Sequence, residues 1–151
     1  MDFKTIISSD RRFKLIIPAN WDEYDDGDDG NYAFFNSTSP VWTGNLRITH
    51  FIWKLPEASQ ADKGAEFVDS ELKENPGAEK VQIGNFEAAR YCKNTIGSDN
   101  DPLIIWYWAF GARKDLFLCT FSAPDIENPA KLRPAEFETV EQILISLELI
   151  N

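Results

Sequence analysis

The sequence is poor in the residues that catalysis and metal binding most often recruit. A single histidine, His50, stands among 151 residues. That excludes a multi-histidine metal centre and leaves one candidate base for nucleophilic chemistry. Only two cysteines occur, Cys92 and Cys119. Each falls within a strand pattern, where free cysteine behaves as a small buried hydrophobe, so a reduced, cytoplasmic chain is expected, with a bridge between the two left open. No apolar run of signal-peptide length precedes Asp10-Arg11-Arg12, and no stretch approaches the length of a membrane span. Neither a phosphate-binding glycine loop nor a nucleophile elbow is present, and Gly27 and Gly30 enclose two aspartates that would repel phosphate. Positive charge is scarce too. Fifteen Lys and Arg against 25 Asp and Glu leave a net charge of −10, which argues against nucleic acid, because phosphate binding needs clustered basic side chains.

The acid that is present is unevenly placed. Six of the 25 carboxylates fall between Asp22 and Asp29, leaving 19 against 15 bases over the rest of the chain. An acidic loop invites comparison with the EF-hand, which needs acidic ligands at fixed positions, a central glycine and a terminal glutamate. Counted from Asp22, the third and twelfth positions are Tyr24 and Ala33; counted from Asp25, they are Gly27 and Asn36. Both registers fail. The segment reads as a solvated charged loop, and no metal or cofactor is expected.

The most informative stretch runs from Pro102 to Phe121. Leu103 to Phe110 is apolar at every position, so it cannot be a strand with one face in water. After the polar Gly111-Ala112-Arg113-Lys114-Asp115, Leu116 to Phe121 returns with the same lack of alternation. A central hairpin covered on both faces implies layers on either side of a sheet. Around it, Phe3 to Ser8 and Phe13 to Ile17 read as strands, Ala19 to Gly30 as a loop, and Asn31 to Asn36 as strand. Leu46 to Trp53 alternates, with Leu46, Ile48, His50 and Ile52 on one face. Ser59 followed by Asp62 resembles a capping box for a helix to Glu74, stopped by Asn75-Pro76-Gly77. Gly84-Asn85 is a two-residue turn joining Lys80–Ile83 to Phe86–Thr95. A closing helix is expected over Pro134 to Leu147. The reading is a single α+β domain over residues 1–151, with a mainly antiparallel sheet between helices.

Several local phrases strengthen that reading. Ile17-Pro18-Ala19-Asn20-Trp21, Gly30-Asn31-Tyr32-Ala33-Phe34-Phe35, Ile83-Gly84-Asn85-Phe86-Glu87-Ala88 and Ile143-Leu144-Ile145-Ser146-Leu147 together resemble PsbP-like domains, with uncharacterised Bacteroidetes proteins as the nearest expected relatives. The resemblance implies an α/β/α sandwich. It also implies binding roles rather than a shared catalytic centre, and it transfers no functional residue.

The aromatics supply the candidate site. Trp106 and Trp108 belong to the core run and Trp21 is expected to pack beneath the loop, whereas Trp42, within Ser39-Pro40-Val41-Trp42-Thr43-Gly44, and Trp53, before Leu55-Pro56, stand outside periodic segments. Exposed aromatics at strand ends are frequent interface anchors. The first expectation is therefore a non-enzymatic domain that binds a protein or peptide of basic character. Its rim would be built from Trp42, Trp53, Tyr24, Asp25, Asp26, Asp28 and Asp29, with Trp42 and the carboxylates at one end of the sheet. The alternative is a small-ligand or hydrolytic cavity beside His50.

Overall fold

The apolar run that dominates the sequence forms two neighbouring strands inside the main sheet of the computed structural model, which describes residues 2–24, 30–56, 58–125 and 133–150. In chain order the elements are β1 (Phe3–Ile7), β2 (Phe13–Pro18), β3 (Trp21–Tyr24), β4 (Asn31–Asn36), β5 (Asn45–Ile52), α1 (Lys63–Glu74), β6 (Glu79–Ile83), β7 (Phe86–Ile96), β8 (Pro102–Ala112), β9 (Asp115–Pro124), α2 (Phe137–Ile145) and β10 (Glu148–Leu149). The main sheet has the order β3-β4-β5-β9-β8-β7-β6 and is antiparallel throughout. A second sheet has the order β1-β2-β10. The fold is α+β, with an antiparallel sheet between helices, as the sequence led us to expect.

Cross-strand register explains where the core lies. Phe110 faces Phe117 and Trp108 faces Cys119 across β8 and β9, while Leu46 and Ile48 on β5 face Phe121 and Cys119. This side of the sheet meets Phe13, Leu15 and Ile17 of β2 and the apolar stripe Phe137, Val140, Ile143 and Leu144 of α2, all within one buried cluster. Arg90 on β7 crosses that interface. Its side chain is 11 % exposed and donates to Glu141 of α2 at 2.7 Å and to Glu79 of β6 at 2.6 Å. Burial works against the Arg90 charge, but the bonds to Glu79 and Glu141 hold its pKa above the ordinary value.

Helix α1 lies on the opposite face. Asp62 is its N-cap, accepting from the Ala65 amide at 3.1 Å, and the same carboxylate oxygen accepts the Arg113 amide at 2.9 Å. The Arg113 carbonyl in turn accepts from the Lys63 and Gly64 amides at 2.7 and 3.2 Å. The β8–β9 turn is thus bonded to the first turn of the helix, and Gly64 rests on the backbone of Gly111. The helix is also tied at its far end, where the Tyr91 hydroxyl donates to Glu71 at 3.0 Å; burial, then that carboxylate, pushes the Tyr91 pKa far up.

Four expectations needed correction. Full cover of the β8–β9 hairpin holds only beneath α1: Ala109 is buried there, whereas Leu103, Ile105 and Tyr107 on the same face are half-buried. Twelve residues make a helix of about 18 Å, too short to shield seven strands spaced about 4.8 Å apart. The loop expected over Ala19 to Gly30 contains β3, whose residues Trp21 to Tyr24 pair with Asn36 to Ala33. The first helix starts at Lys63 with Asp62 as its cap, and Ser59 instead accepts from the Ala61 amide. The closing helix is shorter than Pro134–Leu147, starting at Phe137 and ending at Ile145. Its last residues give way to β10, which pairs with Phe13 and Lys14 of β2.

The cysteines stay apart. Cys92 on β7 and Cys119 on β9 are both free, with β8 between them, and a two-strand gap of about 10 Å exceeds disulfide reach. Burial pushes the Cys119 thiol far up, and burial then Asp125 raise Cys92, which is exposed. A thiol reagent is therefore expected to titrate one cysteine in the native protein and two after denaturation; two rapid equivalents under native conditions would contradict the packing of β9.

Candidate partner-binding site

Two ends of the main sheet must be distinguished, because antiparallel strands return their connections alternately to opposite ends. At one end lie the start of β5, the end of β7, the start of β8 and the end of β9: Asn45 pairs with Ser122, Leu103 with Pro124, and Ile96 with Pro102. Trp42 is at this end. Its place depends on Gly44, which has a φ of +136° and whose missing side chain leaves room for the Phe121 ring. A Cβ there would overlap that ring, so the chain can turn over Phe121 into β5 only with glycine. The Trp42 indole, 44 % exposed, is steadied by donating to the Asn45 side chain at 3.0 Å.

Trp42 forms a wall of two adjoining clefts. One, of about 190 Å³, is a mainly apolar slot lined by Val41, Trp42, Ile104, Ala123, Pro124 and Pro134 together with Asp125 and Arg133. The other, of about 520 Å³, is lined by Trp42, Pro102 and Leu103 together with Asp99, Asp101 and Asp125. Trp42, Pro124 and Asp125 belong to both. The acidic cleft is built from hydrogen-bonded backbone. In the Gly97–Asp101 turn the Gly97 amide donates to the Asp101 carbonyl at 2.8 Å and the Asn100 amide to the Gly97 carbonyl at 3.0 Å. Asp125 is held by its amide on the Pro102 carbonyl at 3.0 Å and accepts from Asn94 at 3.2 Å. No lysine or arginine is among the described residues lining this cleft. Arg133, at the slot, stacks on Phe137 at 4.4 Å and lies 3.9 Å from Glu138. The arrangement offers a mainly apolar slot for one side chain beside a cleft whose described lining carries three aspartates and no lysine or arginine.

The other predicted residues lie elsewhere. Tyr24 ends β3, half-buried against Phe35 with ring centroids 5.8 Å apart. Tyr24 pairs with Ala33, Asn31 pairs with Thr49, and the His50 amide donates to the Gly30 carbonyl, so the ends of the acidic loop meet the sheet at the far end of β5. Asp25, Asp26, Asp28 and Asp29 themselves lie outside the described residues. Trp53, 51 % exposed, shares that far end, its amide donating to the Lys114 carbonyl and Lys63 standing 5.5 Å above its ring. Eight residues of strand, about 25 Å, separate it from Trp42. The expected single rim is not formed, because the β3–β4 and β4–β5 connections fall at opposite ends. The carboxylates that do accompany Trp42 come from two turns remote in sequence, 97–101 and the end of β9. Their shared end follows from strand alternation once the pairing is known.

His50 is packed rather than presented. Its ring stacks on Phe117 with centroids 4.8 Å apart and touches Phe13 edge-on. Its Nε2 lies 2.9 Å from Asp115, whose carboxylate also accepts Arg12 through both oxygens at 2.8 and 2.9 Å. This cluster ties the β1–β2 turn to the β8–β9 hairpin. His50 lines neither cleft beside Trp42, nor the cleft of about 720 Å³ between α1 and β10, nor that of about 490 Å³ between β2 and α2. Among the described residues no group of three His, Cys, Asp or Glu is placed to hold a metal ion, and no helix is long and apolar enough to cross a membrane.

Comparison with known proteins agrees with the fold. A solved structure from Bacteroides thetaiotaomicron VPI-5482 is 28 % identical with a TM-score of 0.81; the match covers all of this chain but only 50 % of that one. The structure of LpqN, involved in cell envelope biogenesis of Mycobacterium tuberculosis, matches at 10 % identity and a TM-score of 0.52, over 99 % of this chain and 91 % of that one. The solution structure of cyanobacterial PsbP from Synechocystis sp. PCC 6803 matches at 10 % identity and a TM-score of 0.46, over 98 % and 92 %. The expected kinship with a Bacteroidetes protein is met, and a PsbP stands among the structural matches. No curated protein is significantly similar. Over residues 1–150 the chain matches, and belongs to, the family described as a domain of unknown function, DUF3805.

Proposed function

We propose that this chain is a non-enzymatic binding domain that engages a protein or peptide through the Trp42 end of its sheet. The observation that carries this reading is the half-exposed Trp42 indole, held by Asn45 between an apolar slot and an acidic cleft. A rigid aromatic with apolar area on one side and charge on the other has the makeup of an interface anchor. The alternative, a small-ligand or hydrolytic role at His50, has less support, since that ring is stacked on Phe117, met edge-on by Phe13 and engaged by Asp115. A reducing, cytoplasmic setting remains part of the proposal, consistent with two free thiols.

The test is affinity capture from cells with the parent chain and with Trp42→Ala as bait. A partner should be recovered by the parent, and its affinity for the variant should fall by about 2 kcal/mol, roughly thirtyfold, while the thermal midpoint of the domain stays close to that of the parent. A partner bound equally by both would move the interface away from this end.

A further inference from the structure

Resting on the reading that the Trp42 end binds a protein segment, we infer the chemistry of that segment: an extended stretch in which an aliphatic or prolyl side chain stands one or two residues from a lysine or arginine. The slot of about 190 Å³ is smaller than the cavities that enclose whole small molecules. It is bounded by Val41, Trp42, Ile104 and Pro124 and suits a single apolar side chain. The adjoining cleft of about 520 Å³ carries Asp99, Asp101 and Asp125 and no lining cation among the described residues. An incoming ammonium or guanidinium would meet three carboxylates and, at the shared wall, the indole face of Trp42, which also attracts cations.

The common wall sets the spacing. Trp42, Pro124 and Asp125 border both spaces, so the two recognised side chains must be close neighbours on one strand. Charge also selects among occupants. A second copy of this chain, with its net charge of −10, and any nucleic acid are opposed by the acidic cleft, whereas a basic segment is drawn to it. Asp99 and Asp101 are solvent-exposed on the 97–101 turn, so replacing them leaves the core untouched.

The experiment uses the whole chain to select from a displayed library of random peptides, followed by titration of labelled synthetic versions of the enriched sequences. Enrichment of an apolar residue beside Lys or Arg is expected. Trp42→Ala should weaken the selected peptide by about tenfold or more, and the Asp99→Asn/Asp101→Asn double variant by about tenfold with a shallower salt dependence. Failure to enrich any peptide, or enrichment of sequences without basic residues, would overturn the inference. If Trp42→Ala abolishes binding while the double Asn variant binds as the parent does, the Trp42 site stands and its cation chemistry falls. Binding unchanged in both variants would reject the site itself.

Discussion

Gly64→Ala is expected to destabilise the domain by about 3 kcal/mol, although the same change in an ordinary helix would stabilise it. Two effects compete. Alanine gains about 1 kcal/mol over glycine inside a helix. Against this, a Cβ on Gly64 would lie under 3.0 Å from the Gly111 carbonyl carbon and oxygen and the Ala112 amide nitrogen. Those are backbone atoms in a central strand, and none can rotate away. Accommodating them requires α1 to lift, which breaks the bonds between the Arg113 carbonyl and the Lys63 and Gly64 amides and strains the Asp62 cap shared with Arg113. Overpacking of this kind typically costs 1–3 kcal/mol before such losses. Gly77→Ala is the control, since nothing lies within 4 Å of its Cβ position and its cost comes only from a φ of +89°, about 1 kcal/mol. Denaturant unfolding of the two variants should separate them clearly; a Gly64→Ala variant as stable as the parent would mean that α1 does not seat on β8 as described.

A loss of comparable size is expected for Glu141→Ala. One oxygen of Glu141 accepts both Arg90, at 2.7 Å, and the Trp108 indole, at 3.0 Å. The Glu141 and Arg90 side chains are 14 % and 11 % exposed, and Trp108 is fully buried. Removing the carboxylate leaves a buried indole donor unpaired and strips a buried guanidinium of one partner, and breaking such a pair commonly costs 3–5 kcal/mol. Glu79 still holds Arg90 from the half-exposed side, which brings the expectation down to about 3 kcal/mol. Glu141→Gln should lose roughly half as much, because its amide oxygen can still accept one donor. Glu79→Ala should cost less, about 1 kcal/mol, because Glu79 is itself half-exposed and water can take its place beside Arg90. Equal losses at Glu79 and Glu141 would contradict the burial assigned to the α2 interface.

What could be read from the sequence follows a physical rule: elements with many residues on one face were legible, and those decided by remote contacts were not. The β8–β9 hairpin was recognisable because a strand that never alternates has to lie inside a sheet. By contrast β3 has one buried residue, Trp21, followed by Asp22 and Glu23, and at a sheet edge so short a pattern is indistinguishable from a loop. Two-residue β10 carries no periodic signal at all. Ser59 was read as the cap with Asp62 as its box partner; Asp62 becomes the cap because its carboxylate also accepts the Arg113 amide, which arrives from the β8–β9 turn. The candidate site divides in the same way. The loop composition around Trp42 announced an exposed aromatic, but the carboxylates beside it, Asp99, Asp101 and Asp125, are joined to it only through the strand order.

The central claim, that this family member binds a protein segment at the Trp42 end, is tested most directly by nitrogen-15 NMR of the chain titrated with the peptide recovered from the displayed library. The Trp42 indole N–H, now donated to Asn45, and the amides of 97–103 and 123–125 should shift together and saturate at one stoichiometric equivalent. Shifts confined to α1, β6 or the Trp53 end of β5, with the Trp42 indole unmoved, would contradict it.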